Sequence, residues 1–144
     1  MKKVMILVGS LMVSISSFAS YTSDMTDRMD ARQEMLERNL SGSNVEMKEG
    51  AAIMHESWDN ELSKVYKLLM AKLSKNEQIK LRNEERAWIK RRDKAAEAEG
   101  NKFCDVVDGH KSCGTGYGLA YTQSLVKSTR DRAIELSKRY EKLK

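Results

Sequence analysis

The chain has 144 residues, of which 33% are charged and 6% aromatic, with 8 glycines and no proline. This length suits a single domain. The missing proline excludes most many-stranded sandwiches and barrels, and no paired glycine loops of a nucleotide-binding sheet are present. The formal charge of +5 is small and dispersed, whereas nucleic-acid-binding proteins usually concentrate basic residues in a stripe. We therefore predict an all-α fold and no nucleic-acid partner.

The first 19 residues have the pattern of a secretory signal peptide. Lys2 and Lys3 precede an apolar stretch over residues 4–13, and Ala19 ends a segment with small residues where signal peptidase requires them. The apolar stretch is shorter than the ~20 residues needed to span a bilayer. We predict cleavage after Ala19, a periplasmic domain over residues 20–144, and no stable membrane insertion. Loss of the two lysines would lower the formal charge from +5 to +3.

Four segments place apolar residues at helical spacing. They cover residues 23–40, 51–73 and 75–98, and a last helix from about residue 119. Ser74 and Glu77 form a capping box, which predicts a tight turn between the second and third helices, and Gly100 is the expected stop of the third. We predict a single antiparallel helical bundle of three long helices plus a shorter N-terminal helix. The apolar positions are Met25, Met29, Leu36 and Leu40; Met54, Trp58, Leu62, Val65, Tyr66, Leu69 and Leu73; Ile79, Leu81, Trp88, Ile89, Ala95 and Ala96; and Leu119, Val126, Ala133, Leu136, Tyr140 and Leu143.

Residues 100–118 lack helical periodicity and contain five glycines and both cysteines. We predict one long ordered loop here. An exported chain favours a disulfide between Cys104 and Cys113, which would stabilise the fold by ~2.5–3 kcal/mol in the chain-entropy model. The alternative is a metal site built from the two cysteines with Asp105, Asp108 and His110, although this set lacks a recognised zinc spacing. We therefore predict a disulfide-pinned loop with no metal and no cofactor.

No catalytic motif accompanies the titratable residues. His55 and His110 are the only histidines, and neither lies near a serine or cysteine in a nucleophile motif. We expect His55 to flank the apolar stripe and His110 to lie at a loop tip. The acidic residues Glu84, Glu85 and Glu97 are candidates for glycan chemistry, but on so polar a helix they are better explained as solvated partners of Lys and Arg. We therefore predict that the protein is not an enzyme.

Trp88 and Arg92 lie one turn apart on the predicted inner face of the third helix, together with Leu81 and Ala95. An inward-facing arginine needs acceptors. Asp93, Glu85 or a carboxylate on a facing helix could supply them, and a hydroxyl could come from Thr129. We predict that this polar network sets the register of the bundle.

Three motifs resemble those of the LprI-like family of small exported bacterial helical proteins. They are Leu62-Ser63-Lys64-Val65-Tyr66, then Glu85-Arg86-Ala87-Trp88 followed by Arg92-Asp93, then Thr129-x-x-Arg132-x-x-x-Leu136. The family usually has Asn at the position of Ser63, Gln at that of Glu85, and cysteines near Ala96 and Ser124. The resemblance covers about residues 54–136 and implies a non-catalytic inhibitor of host lysozyme.

The resemblance and the export signal together favour a periplasmic protein that binds a protein partner, with a lysozyme as the leading candidate. Because preorganised loops lose less entropy on binding, we predict that the disulfide-pinned loop makes the contact. The alternative is a structural or stress-related role at the envelope, in which the first helix docks on a partner or on the membrane surface. The predicted contact residues are Lys102, Phe103, His110, Lys111 and Tyr117.

Overall fold

The computed structural model describes residues 20–143 and confirms an all-α bundle with one small hairpin. The helices are α1 (Tyr21–Asn39), α2 (Asn44–Lys72), α3 (Lys75–Asn101) and α4 (Gly116–Glu141), and the strands are β1 (Cys104–Val107) and β2 (His110–Cys113). The predicted signal peptide lies outside the described residues. Among the helices that are described, none combines the length and apolarity needed to cross a membrane.

Serine side chains start three of the four helices. Ser20, Ser43 and Ser74 each accept a hydrogen bond from a backbone N–H in the first turn of α1, α2 and α3, respectively. The predicted capping box is confirmed, since the Glu77 carboxylate also accepts from the Ser74 N–H at 2.9 Å. Helix α2 begins seven residues earlier than predicted because Ser43 caps it and because Gly50 packs inside the helix, facing Leu40.

The apolar stripes form one continuous core between the helices. Trp58 is 1% exposed and is among the largest fully buried side chains. Four of the predicted apolar positions are instead exposed, namely Ile79, Ile89, Ala95 and Leu143, whereas Ala96 is buried as expected. Burial of this core supplies the main stabilisation of the fold. Its buried members are Met25, Met29, Leu36, Met54, Trp58, Leu62, Val65, Leu69, Leu81, Ala133 and Leu136.

Helix α4 is the central element, because it packs extensively against both α2 and α3 while those two make few contacts with each other. The start of α4 lies near the start of α2, where Lys48 approaches Gly118, so these two helices run parallel. Helix α3 runs antiparallel to both. Helix α1 closes the remaining side, and its first turn meets the end of α4 where the Thr22 N–H donates to Glu141 at 2.8 Å.

The most buried cation among residues 20–143 is Arg132 on α4, which sequence analysis named only in the family motif. The Arg132 Nε donates to Glu85 at 2.7 Å, and its Nη1 donates to both carboxylate oxygens of Glu135. Burial disfavours the charged guanidinium, but the hydrogen bonds to Glu135 and Glu85 outweigh this and raise the pKa of Arg132. Glu84 completes the network and bridges to Arg139 at 2.7 Å.

The predicted pair of Trp88 and Arg92 lies on the same stripe of α3 as buried Ala96, and the Arg92 side chain is only 15% exposed. The Arg92 guanidinium is 5.1 Å from the centre of the half-buried Trp88 ring and pairs with exposed Asp93 at 2.8 Å. Thr129 is fully buried, and its hydroxyl has no hydrogen-bond partner among residues 20–143. It therefore does not accept the predicted hydrogen bond from Arg92. The fully buried indole is that of Trp58, on a different helix.

Candidate functional site

The segment predicted as one long loop instead contains a β-hairpin with a two-residue turn. Cys104 pairs with Cys113 and Val107 pairs with His110 in antiparallel register. Asp108 and Gly109 form the turn with φ of 49° and 76°. Positive φ at both central positions is the condition for a type I′ turn, and Asp-Gly is a preferred sequence for it. The hairpin therefore has a definite shape set by its own sequence.

The open end of the hairpin is closed covalently. Cys104 and Cys113 form the predicted disulfide, with Cα atoms 3.9 Å apart. This bond removes both thiolates from the alternative metal set. Within residues 20–143 no group of three or more His, Cys, Asp or Glu side chains is arranged to hold a metal ion. Beyond the disulfide, the Gly114 N–H donates to the Phe103 carbonyl at 2.7 Å and extends the closure by one more pair.

Two aromatic rings pack the base of the hairpin onto the bundle. The Tyr117 ring lies against Gly100 on α3, and the Phe103 ring lies against Gly116 at the start of α4. A Cβ atom at Gly100 would stand only 2.8 Å from the Tyr117 Cε2 atom, so a larger residue there would displace the ring. The glycines at the two ends of the predicted loop are therefore packing positions for these rings.

The distal part of the hairpin exposes an apolar surface. Val106 is 76% exposed and Val107 56% exposed, on opposite faces of a four-residue strand. Phe103, at the base of the hairpin, is half exposed. Exposed β-branched residues on an ordered hairpin are a candidate contact for a partner protein. We call the segment from Phe103 to Cys113 the hairpin site.

The structure separates the five predicted contact residues into groups. Lys111 and Tyr117 come together, with the ammonium 5.9 Å from the ring centre and 2.6 Å from the Asn101 side-chain oxygen. Lys102 is instead held by Glu99 at 2.7 Å. His110 lies exposed beside the turn, as expected for a loop-tip residue, and Phe103 packs on the other side of the hairpin base.

Sequence analysis missed Val106 and Val107, the most exposed apolar residues of the hairpin. The signal was present, because the Asp108-Gly109 dipeptide preceded by two β-branched residues is typical of a hairpin. Their exposure could not be inferred from the sequence.

The other candidates from the sequence lie in three different settings: ion-paired, exposed on a helix, or buried in the core. Glu84 and Glu85 are committed to Arg139 and Arg132, and the hydrogen bond from Arg139 lowers the pKa of Glu84. Glu97 is exposed on α3. The apolar face of α1, predicted as a possible docking element, is buried in the bundle through Met25 and Met29. Val106 and Val107 are thus among the most exposed apolar residues that the structure describes.

Comparison with protein-family models matches residues 35–136 to the family described as lysozyme inhibitor LprI. No curated protein and no solved structure matches the chain. The matched range runs from the end of α1 to Leu136 on α4 and includes the whole hairpin site. Because this range covers well over half of the sequence, the chain belongs to the lysozyme inhibitor LprI family.

Proposed function

We propose that this protein is an exported, non-catalytic inhibitor of lysozyme-type muramidases and that it binds through the hairpin site. The family match supports inhibitor-like binding of a protein partner. The single structural observation that carries the proposal is the exposure of Val106 and Val107 on a covalently closed hairpin. The helical bundle acts as the scaffold that holds this hairpin.

Preorganisation is the physical basis of the proposed binding. The type I′ turn, the disulfide and the two packed rings at the base restrict the hairpin before any partner arrives. A segment ordered in advance loses less conformational entropy on association, so more of the contact energy appears as affinity. A narrow two-stranded element is also suited to entering a concave substrate groove.

The charge of the hairpin site favours apolar contact over long-range attraction. Asp105 and Asp108 offset Lys111 within the hairpin, and Lys102 beside it is engaged by Glu99. Electrostatic steering requires complementary surface potentials, which this mixed set of charges does not supply. We therefore expect the affinity to depend weakly on salt concentration.

Export is the second part of the proposal. It is supported by the signal-like residues 1–19 and by the disulfide, which persists in oxidising compartments. Cleavage after Ala19 would leave Ser20 as the first residue, and Ser20 is the N-cap of α1. The mass of the periplasmic protein tests this directly, because the proposal predicts a chain that starts at Ser20.

A lysozyme turbidity assay tests the binding function. The wild-type protein, added in molar excess, should slow the clearing of a cell-wall suspension by an animal lysozyme. The double variant Val106→Asp, Val107→Asp should lose this protection, because two carboxylates would have to be buried at the contact. Val45→Asp is the matched control, since Val45 is 74% exposed but lies in the first turn of α2.

Two results would count against the proposal. Absence of protection by the wild-type protein at large molar excess would reject lysozyme as the target. Equal protection by the double variant and the Val45→Asp control would leave inhibition in place but would move the contact away from the hairpin site.

A further inference from the structure

A second feature, which shares no residue with the hairpin site, is an apolar cleft between α1, α2 and α4. It has a volume of about 400 Å³ and lies between the end of α1, the first half of α2 and the middle of α4. Leu36 and Met54 are buried at its lining, and Leu40, Met47 and Val126 are partly exposed there. This volume is within the range of small-molecule pockets.

Small residues of α2 keep the cleft open. Gly50 and Ala51 line it side by side, and Gly50 allows the Leu40 side chain to lie close to the α2 backbone. The adjacent Met47 and Met54 contribute flexible thioether side chains, which adapt to apolar ligands of irregular shape. The lining thus favours an extended hydrocarbon over a rigid polar molecule.

The charges at the mouth are asymmetric. Lys127 and Arg130 lie on the α4 side, and Glu37 lies on the α1 side. Glu37 accepts a hydrogen bond from Gln33 at 2.8 Å, and Lys127 pairs with Asp131 at 2.9 Å. Arg130 makes no ion pair or side-chain hydrogen bond with any residue between 20 and 143, so its guanidinium is available to an anion on the α4 side.

We infer that this cleft binds a single-chain amphiphile with a carboxylate head, of the fatty-acid class. The hydrocarbon chain lies between α1 and α2, over Leu36 and Met54, and the carboxylate accepts hydrogen bonds from Arg130 at the mouth. The planar guanidinium is the side chain best matched to a carboxylate. The inference does not depend on lysozyme inhibition, because the cleft and the hairpin site share no residue.

Calorimetric titration of the folded protein with decanoate and with decanol tests both halves of the inference. The wild-type protein should bind decanoate at one site. Arg130→Gln should weaken decanoate about tenfold, equivalent to ~1.4 kcal/mol, and leave decanol unchanged. Arg86→Gln is the matched control, because Arg86 is an exposed arginine on α3.

A cleft-filling variant tests the chain-binding half. Ala51→Leu should weaken decanoate and decanol alike, whereas Ala52→Leu, at the exposed neighbouring position, should weaken neither. Far-UV circular dichroism and the Tm establish that each variant is folded. If Ala51→Leu does not fold, the surface variant Arg130→Gln still tests the inference.

Three outcomes would overturn the inference. The first is no decanoate binding by the wild-type protein. The second is equal binding by Ala51→Leu and Ala52→Leu. The third is sedimentation of the wild-type protein with phosphatidylglycerol vesicles that is lost in Arg130→Gln, because the face would then dock on a membrane surface and not enclose a single chain.

Discussion

Two valines show how differently the bundle and the hairpin site use the same side chain. Val65 on α2 is 0% exposed in the core, whereas Val106 on β1 is 76% exposed. The bundle is stabilised by burial of its apolar surface, but the hairpin site keeps its shape through a turn, a disulfide and two packed rings. A segment that leaves apolar surface in water without needing it for folding has that surface free for a partner.

The largest expected effect is a loss of core packing. Trp58→Ala should lower the free energy of unfolding by about 3–5 kcal/mol, because it removes a fully buried indole and leaves a cavity. Phe103→Ala, at the half-exposed base of the hairpin, should cost much less. Urea unfolding followed by circular dichroism measures both. Similar losses for the two variants would show that the hairpin contributes to folding as much as the core does.

The buried ion network should rank second. Arg132→Met should lower the free energy of unfolding by about 2–3 kcal/mol, since it strands the largely buried Glu85 carboxylate. This loss is smaller than that expected for a fully buried network, because Glu84 and Glu135 are each about half exposed and can be solvated. Arg38→Met breaks an exposed pair with Glu34 and should change stability by less than about 0.5 kcal/mol. Equal effects would contradict the assigned burial.

The disulfide should rank third and should act mainly on the hairpin. Replacing Cys104 and Cys113 by serine should cost less than the ~2.5–3 kcal/mol of the chain-entropy model and leave the helix content unchanged. Amide hydrogen exchange should become faster over residues 104–113 and not in α2. Exchange that becomes faster throughout the bundle would contradict the division into scaffold and hairpin site.

His55 should produce the smallest effect, a dependence of stability on pH. Burial, followed by the nearby Arg92, lowers the pKa of His55 from 6.5, against a smaller opposing effect of Asp59 and Asp93. The folded state therefore prefers the neutral imidazole. The contribution of neutral His55 to the free energy of unfolding is fully present above pH 6.5. It is lost as the pH falls through the lower pKa of the folded state. His55→Gln should have a flatter stability profile in this range, measured by urea unfolding, and an unchanged slope would contradict the shift.

The helices could be predicted because their apolar residues repeat with the helical period and because caps such as Ser74 with Glu77 are local features. The start of α2 was missed, since residues 44–50 carry no apolar stripe, although Ser43 is a good N-cap. The helical period also placed Trp88 and Arg92 on the inner stripe of α3, in line with buried Ala96. The burial of Arg132 could not be predicted, because it depends on how α4 packs against α3.

The hairpin was the larger omission, and it has a different cause. Its strands are only four residues long and largely exposed, so they lack the alternation of apolar and polar residues that predicts a half-buried strand. The Asp108-Gly109 dipeptide was its one local signal.

The central claim is that the hairpin site, and not the bundle, contacts a lysozyme-type muramidase. Methyl NMR of the valines, recorded as an animal lysozyme is added, tests it most directly. The methyl signals of Val106 and Val107 should shift or broaden, while those of Val45 and Val65 should stay in place. Changes confined to Val45 or Val126, or no change at any valine when the lysozyme is in excess, would contradict it.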